Sequence, residues 1–201
     1  MEIKVPRKVR SQQVKEKIFK AALKLLQEKG YEYVTVQNVC QLASVSVGSF
    51  YHHFKNKDAL LSYYFVAGYQ QYEEKFNAPA QGTFVDRIIY YFQIYSHFCL
   101  DQDIRFIKNF YTSENASLYL PAENMTDKSK LPVLYLVHEE LKKAQQAGNI
   151  AGDIDLVQLA EDLCLIEKGC IFEYALSDGH FDLLRRSEIM VRQFMKGLDA
   201  K

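Results

Sequence analysis

Residues 35–61, TVQNVCQLASVSVGSFYHHFKNKDALL, constrain this chain more than any other stretch, because they predict two short helices joined by a tight turn. Thr35 is a typical cap for the first helix, whose apolar positions recur at helical spacing. Small and polar residues then interrupt the pattern, and Ser46 caps the second helix. In that helix Phe50 and Phe54 are four residues apart and face inward.

The layout of these helices is typical of a helix-turn-helix that reads DNA. Its second helix directs a set of small, hydroxyl and imidazole side chains to its outer or leading surface: Val47, Gly48, Ser49, Tyr51, His52 and His53. Such side chains contact base edges and phosphates in protein–DNA complexes.

The segment resembles the N-terminal domain of the tetracycline-repressor (TetR) family. It matches the family pattern Ala-x-Val-Ser-x-Gly-[ST]-aromatic-Tyr-x-His-Phe-x-x-Lys-x-x-Leu-Leu from Ala43 to Leu61. The resemblance implies an all-α fold: a three-helix helix-turn-helix domain over residues 1–56, with a basic N-terminal arm, and a larger helical ligand-binding and dimerisation domain over residues 57–201.

The same resemblance implies which residues contact DNA. Val47, Gly48 and Ser49 match the base-facing positions, although Val47 can offer only apolar contact, for instance to a thymine methyl group. Residues implied at phosphates, or chemically suited to them, are Thr35, Tyr51, His52, His53 and Lys57.

Charge divides the chain into two parts. Residues 1–60 hold 11 Lys and Arg against 5 Asp and Glu, whereas residues 61–201 hold 14 against 20. A basic first third suits a polyanion, and a solvated charged face is the plainer alternative. Because the helix-turn-helix lies in the same third, we expect a double-stranded DNA operator as partner. Lys4, Arg7, Lys8 and Arg10 form either a flexible arm along the DNA backbone or a simple solvated tail.

Further helices follow from apolar periodicity and from the positions of Gly and Pro. The first covers residues 11–29, and its apolar stripe is expected to cover Leu42, Phe50 and Phe54. A long helix leaves the DNA-binding segment at Lys57, and the remaining helices are predicted at 83–101, 103–115, 130–147, 155–176 and 181–198.

Residues 61–115 contain 15 of the 27 Phe and Tyr residues. Aromatic stripes at helical spacing are most often plain core. Because the TetR resemblance implies a small-molecule cavity among these helices, we expect an apolar or aromatic effector to bind among Tyr64, Tyr91, Tyr95, Phe98, Phe110 and His138.

The last two helices carry more apolar surface than a terminal pair needs, unless these stripes are internal core. By resemblance they pair with a second copy in a four-helix bundle, which makes the protein a homodimer that binds a pseudo-palindromic site. The residues expected at this interface are Leu159, Leu163, Ile166, Cys170, Leu184, Val191, Phe194, Met195 and Leu198.

The four cysteines lack zinc-site spacing, so we expect buried thiols and neither a metal nor a cofactor. No segment resembles a signal peptide or a membrane span, which favours the cytoplasm.

The sequence thus favours a transcriptional regulator, with repression relieved by a small ligand implied by the resemblance. An architectural DNA-binding protein without a ligand is the alternative. A small-molecule enzyme is a third reading, but common catalytic motifs are missing from the sequence.

Overall fold

A computed structural model of the protein describes residues 7–76, 82–119 and 125–198, and these ranges contain helices and no strand. The all-α prediction is therefore confirmed for the described part of the chain. The α-helices in chain order are α1 (Arg7–Lys29), α2 (Val36–Ala43), α3 (Val47–His53), α4 (Lys57–Glu73), α5 (Phe84–Leu100), α6 (Ile104–Phe110), α7 (Pro132–Gln146), α8 (Leu156–Leu176) and α9 (Leu183–Leu198).

The chain forms two compact units. The first comprises Met1–Tyr64 and Asn109–Leu118, and the second comprises Phe65–Lys108 and Tyr119–Lys201. The division falls within α4, eight residues beyond the boundary expected after residue 56. The start of α4 packs on α1, since the rings of Tyr63 and Tyr64 lie 5.6 and 5.5 Å from that of Phe19.

The first unit is built around α1, α2 and α3. Its core consists of fully buried apolar side chains from these helices and the following turns: Ile18, Ala22, Leu26, Val34, Val39 and Phe50. Phe50 and Phe54 are buried as predicted, with ring centroids 5.9 Å apart. Since α2 and α3 are too short to be stable alone, this burial holds them in place.

The second unit packs α5, α7, α8 and α9 together. Its apolar core includes Ile88 and Phe92 of α5, Leu134, Val137 and Leu141 of α7, Leu159 and Leu163 of α8, and Val191 of α9. A capping box at Thr83 and Asp86 begins α5, and Asp86 also accepts a hydrogen bond from Arg192 at 2.7 Å. This packing determines which faces of the four helices remain exposed.

Three details differ from the sequence prediction. Helix α1 begins at Arg7, so residues 7–10, which were expected in an arm or tail, are helical, and Lys4 lies outside the described residues. Leu42 was expected to be covered, but 44% of it is exposed. The helix expected at 103–115 ends at Phe110, because the buried Asn115 side chain donates a hydrogen bond to the Phe110 carbonyl at 2.9 Å.

All four cysteines are buried as free thiols, as expected for small apolar side chains of the core. Among the described helices, none combines the length and the apolar character needed to cross a membrane.

Candidate DNA-binding surface

The turn between α2 and α3 is held by side chains that cap both helices. Thr35 Oγ1 accepts a hydrogen bond from the Asn38 amide at 3.1 Å, and Ser46 Oγ accepts one from the Ser49 amide at 3.1 Å. Ser44 ends α2 in the left-handed conformation, with φ 54°. The two predicted caps are confirmed, and they set the direction in which α3 leaves the turn.

The outer face of α3 combines apolar and hydroxyl groups. Val47 and Tyr51, one turn apart, are 45% and 55% exposed. Gly48 lies between them, and a Cβ atom added there would meet only Ser46 Oγ, at 3.9 Å. Ser49 Oγ lies 2.9 Å from Ser46 Oγ, so the two hydroxyls share a hydrogen bond. This face can approach a DNA groove closely and offer apolar contacts together with a hydroxyl.

The end of α3 carries two adjacent imidazoles. The ring centroids of His52 and His53 lie 5.0 Å apart; His52 is exposed and His53 is half-buried. Burial lowers the pKa of His53, and the nearby His52 and Lys15 lower it further. His53 is therefore largely neutral at pH 7 and can donate one N–H to an acceptor such as a phosphate oxygen.

Lys57, at the start of α4, lies against Tyr31. Its Nζ is 3.8 Å from the centre of the Tyr31 ring, and the Tyr31 hydroxyl donates a hydrogen bond to Asp58 at 2.9 Å. Burial and the carboxylate of Asp58 raise the pKa of Tyr31, so the phenol stays protonated. A phosphate contact by Lys57 would therefore be made by an ammonium group that already lies over a neutral ring.

Lys15 and Tyr33 are further candidates that the sequence analysis did not single out. Lys15 Nζ lies 3.8 Å from the centre of the Tyr63 ring and 5.5 Å from that of Phe54. Tyr33 is 49% exposed, two residues before Thr35. The sequence shows several basic residues in α1, but their spacing does not indicate which of them lies close to α3.

The residues predicted to hold an effector belong to both units. Tyr91, Tyr95, Phe98 and His138 are in the second unit, and Tyr64 and Phe110 are in the first. Within the second unit, Phe98 packs closely on α4: a Cβ atom added to Gly68 would lie 2.3 Å from its ring. Burial lowers the pKa of His138 and raises that of Tyr91, so both side chains are mostly neutral at pH 7.

Most residues predicted at a dimer interface pack inside the second unit. Leu159, Leu163, Cys170, Val191 and Met195 are at most 5% exposed. Others are half-buried, namely Ile166, Leu184, Phe194 and Leu198. A different set of large apolar side chains on the same two helices is exposed, and the sequence analysis missed all of it: Val157, Leu165, Phe172, Leu176, Ile189 and Met190.

Comparison with known proteins agrees with this architecture. Residues 18–64 match the family model of bacterial regulatory proteins of the tetR family. Over 172 residues the chain is 22% identical to the HTH-type transcriptional regulator UidR of Escherichia coli K12, which covers 84% of this chain and 85% of that protein.

Two solved structures of similar fold span almost the whole chain. FadR of Thermus thermophilus, a TetR-family transcriptional repressor in complex with lauroyl-CoA, has a TM-score of 0.66 at 22% identity, over 92% of this chain and 94% of that one. FadR from Bacillus subtilis in complex with stearoyl-CoA has a TM-score of 0.63 at 20% identity, over 90% and 98%. With the family match at residues 18–64 and the capped helix-turn-helix, the N-terminal part of the chain carries the helix-turn-helix domain of the tetR family of bacterial regulatory proteins.

Proposed function

We propose that this protein is a repressor that binds a pseudo-palindromic operator as a homodimer and is released by a small apolar or aromatic effector. The observation that carries the proposal is the exposed outer face of α3, with Val47, Gly48 and Tyr51 on a helix whose start is capped by Ser46. A helix of this kind can enter the major groove with its first residues at the base edges.

In this proposal Val47, Gly48 and Ser49 contact the base edges. Val47 provides an apolar surface that suits a thymine methyl group, and Gly48 allows close approach of the backbone. Ser49 can exchange its hydrogen bond with Ser46 for one to a base. Three such contacts carry limited sequence information, so the shape of the DNA is expected to contribute to specificity.

Side chains at the end of α3 and on either side of it contact the phosphates. Tyr51 and His52 are exposed, and His53 offers a neutral ring N–H. Thr35 and Lys57 stand at the starts of α2 and α4, where backbone amides also favour an anion. These contacts set affinity and its salt dependence, because each neutralised phosphate releases counterions.

The homodimer is proposed to form through the exposed apolar face of α8 and α9. On α8, Leu165, Phe172 and Leu176 repeat at spacings of seven and four residues, and they are 63%, 46% and 60% exposed. Ile189 and Met190 of α9 are 42% and 40% exposed. Such stripes on two adjacent helices suit a second copy of the same pair, related by a two-fold axis.

Release by an effector is proposed to act through α4. This helix contributes residues to both units, since it runs from Lys57 to Glu73 and the division follows Tyr64. An effector that binds only when α4 occupies one of two positions would change the distance between the DNA-binding units of the two protomers in the dimer. A coupling free energy of about 1–3 kcal/mol is typical of such regulation.

Three observations support an effector site in the second unit. Aromatic residues are dense in residues 61–115, most of which belong to the second unit, and Tyr91 and His138 are mostly neutral at pH 7. The FadR proteins of similar fold were solved with lauroyl-CoA and stearoyl-CoA, which makes long acyl compounds the first class to test.

Selection of bound sequences from a random duplex pool tests the DNA-binding proposal. We expect an enriched inverted repeat, whose binding weakens with added salt and with Tyr51→Phe. Tyr119→Phe is the matched control, because Tyr119 is 74% exposed and lies in the second unit. Salt-sensitive binding without enrichment would indicate an architectural role instead, and absence of binding would contradict the proposal.

A further inference from the structure

Tyr69 of α4 carries a buried phenol. Its side chain is 1% exposed, and within the described residues the hydroxyl oxygen makes no hydrogen bond. A buried polar group without a partner costs free energy, and such groups in native proteins call for an explanation.

Two of the groups around Tyr69, namely Tyr90 and Glu73, already make other contacts. Tyr90 donates its hydroxyl to the Phe76 carbonyl at 2.8 Å. Glu73 pairs with Lys128 at 2.8 Å. Tyr91 also lies close enough to influence Tyr69 electrostatically. Rearranging Tyr90 or Glu73 toward Tyr69 would break a bond that exists, so neither supplies a partner without loss.

The protonation state of Tyr69 defines the kind of partner it needs. Burial raises the pKa of the phenol far above its ordinary value, and Glu73 adds to this effect. The hydroxyl is therefore a hydrogen-bond donor at any physiological pH. A partner for this donor must bring a hydrogen-bond acceptor, such as an oxygen atom.

The local charges favour an acceptor without a net charge. Glu73 is paired with Lys128, and Arg87 is paired with the buried Glu140 at 2.5 Å. In both ion pairs the cation is therefore already neutralised by a protein carboxylate. A free carboxylate bound here would add an unbalanced negative charge, whereas a carbonyl oxygen would not.

We propose that the Tyr69 hydroxyl anchors the effector by donating a hydrogen bond to an uncharged carbonyl oxygen of an acyl compound, such as a thioester or ester. The proposal rests on the proposed function, in that it names the chemistry of the effector bound in the second unit. Tyr91 and the neighbouring apolar side chains of α5 would contact the hydrocarbon part. On binding, the phenol then gains a partner that the described residues of the free protein do not supply.

A double comparison of ligand and variant tests the anchor. Lauroyl-CoA and dodecyl-CoA, its thioether analogue, differ only in the carbonyl oxygen, so their affinities for the wild-type protein measure the contribution of that oxygen. We expect lauroyl-CoA to bind about tenfold more tightly, and Tyr69→Phe to remove this preference. Tyr90→Phe is the matched control, because it deletes a partnered phenol on α5.

The free protein gives a second readout that needs no ligand. Tyr69→Phe should leave the unfolding midpoint unchanged or raise it, whereas Tyr90→Phe should lower it, because Tyr90 makes a hydrogen bond and Tyr69 makes none with the part of the chain that the structure describes. A Tyr69→Phe midpoint lowered as far as that of Tyr90→Phe would overturn the anchor, since it would show that the hydroxyl is satisfied.

Three further outcomes are decisive. Equal binding of the two CoA derivatives to wild-type protein, or a preference that survives in Tyr69→Phe, would overturn the anchor. Failure of both to bind would overturn the acyl class. Operator binding by the same samples without CoA derivatives separates these results from failure of the proposed function, because it tests α3 independently of Tyr69.

Discussion

The side-chain amide of Asn109 donates a hydrogen bond to the backbone carbonyl of Leu26 at 3.1 Å, which ties the end of α6 to the last turn of α1. Gly30, the residue after α1, has φ 100° and donates its amide to the same carbonyl at 3.1 Å. The first unit is therefore completed by a segment that lies more than 40 residues beyond Tyr64 in sequence.

Asn109→Ala is expected to loosen the end of α1. The loss of one hydrogen bond to a partly buried carbonyl should cost about 1 kcal/mol. Faster amide hydrogen exchange at residues 26–33, with little change in α8, would show the effect. Asn149→Ala, which removes an exposed amide from the second unit, is the control. Equal exchange in the two variants would contradict the role assigned to Asn109.

Gly48→Ala tests whether α3 approaches DNA closely. In the free protein a methyl group at this position meets only Ser46 Oγ, at 3.9 Å, so stability should stay constant or rise by about 1 kcal/mol. Operator affinity should nevertheless fall about tenfold or more, because the methyl group would stand between the backbone and the base edges. Titration of the selected operator measures this, with Gly152→Ala as control. Unchanged affinity would move base readout away from Gly48.

The capped helix-turn-helix was predictable because its signals are local. Thr35, Ser46 and the inward pair Phe50 and Phe54 lie within one short stretch, and each acts on its own helix. The return of Asn109 to the first unit was not predictable, because nothing in the residues around it specifies a partner as distant as Leu26.

The buried face of α8 could not be predicted from the sequence either. Leu163, Leu165 and Ile166 are consecutive or nearly so, and apolar residues occur around most of the helix. Periodicity therefore does not distinguish Leu163, which is fully buried, from Leu165, which is 63% exposed. Only the packing of α7 and α9 against α8 decides between them.

Glu167 of α8 should make stability depend on pH in the neutral range. Its buried carboxylate accepts hydrogen bonds from Ser96 of α5 and Ser187 of α9. Burial raises the pKa of this carboxyl to about 7, and the hydrogen bonds from the two hydroxyls partly oppose this increase. Because the folded pKa exceeds the unfolded one, the favourable contribution is complete below about pH 4.5 and is lost as the pH rises through about 7.

Glu167→Gln should flatten that dependence. Urea unfolding at pH 6 and pH 8 should show the wild-type protein losing of order 1 kcal/mol more than the variant over this interval. Glu74→Gln, which alters an exposed carboxylate in the second unit, should follow the wild-type protein. A variant with the same slope as wild type would show that Glu167 is already ionised throughout.

Leu165→Glu tests the proposed dimer face. Leu165 is exposed in the single chain, so the substitution should leave the helical content intact while a charge opposes burial against a second copy. Sedimentation equilibrium should show a shift to monomer. Tyr119→Glu, another exposed apolar position in the second unit, should remain dimeric. A dimeric Leu165→Glu variant would place the interface elsewhere.

Sedimentation velocity of wild-type protein with duplexes that contain the selected repeat or a single half-site tests the central proposal most directly. We expect two protomers on the full repeat, much weaker binding to the half-site, and affinity for both that falls as salt increases. One protomer per duplex with equal affinity for the two sites would contradict the account of a dimeric regulator that reads DNA through α3.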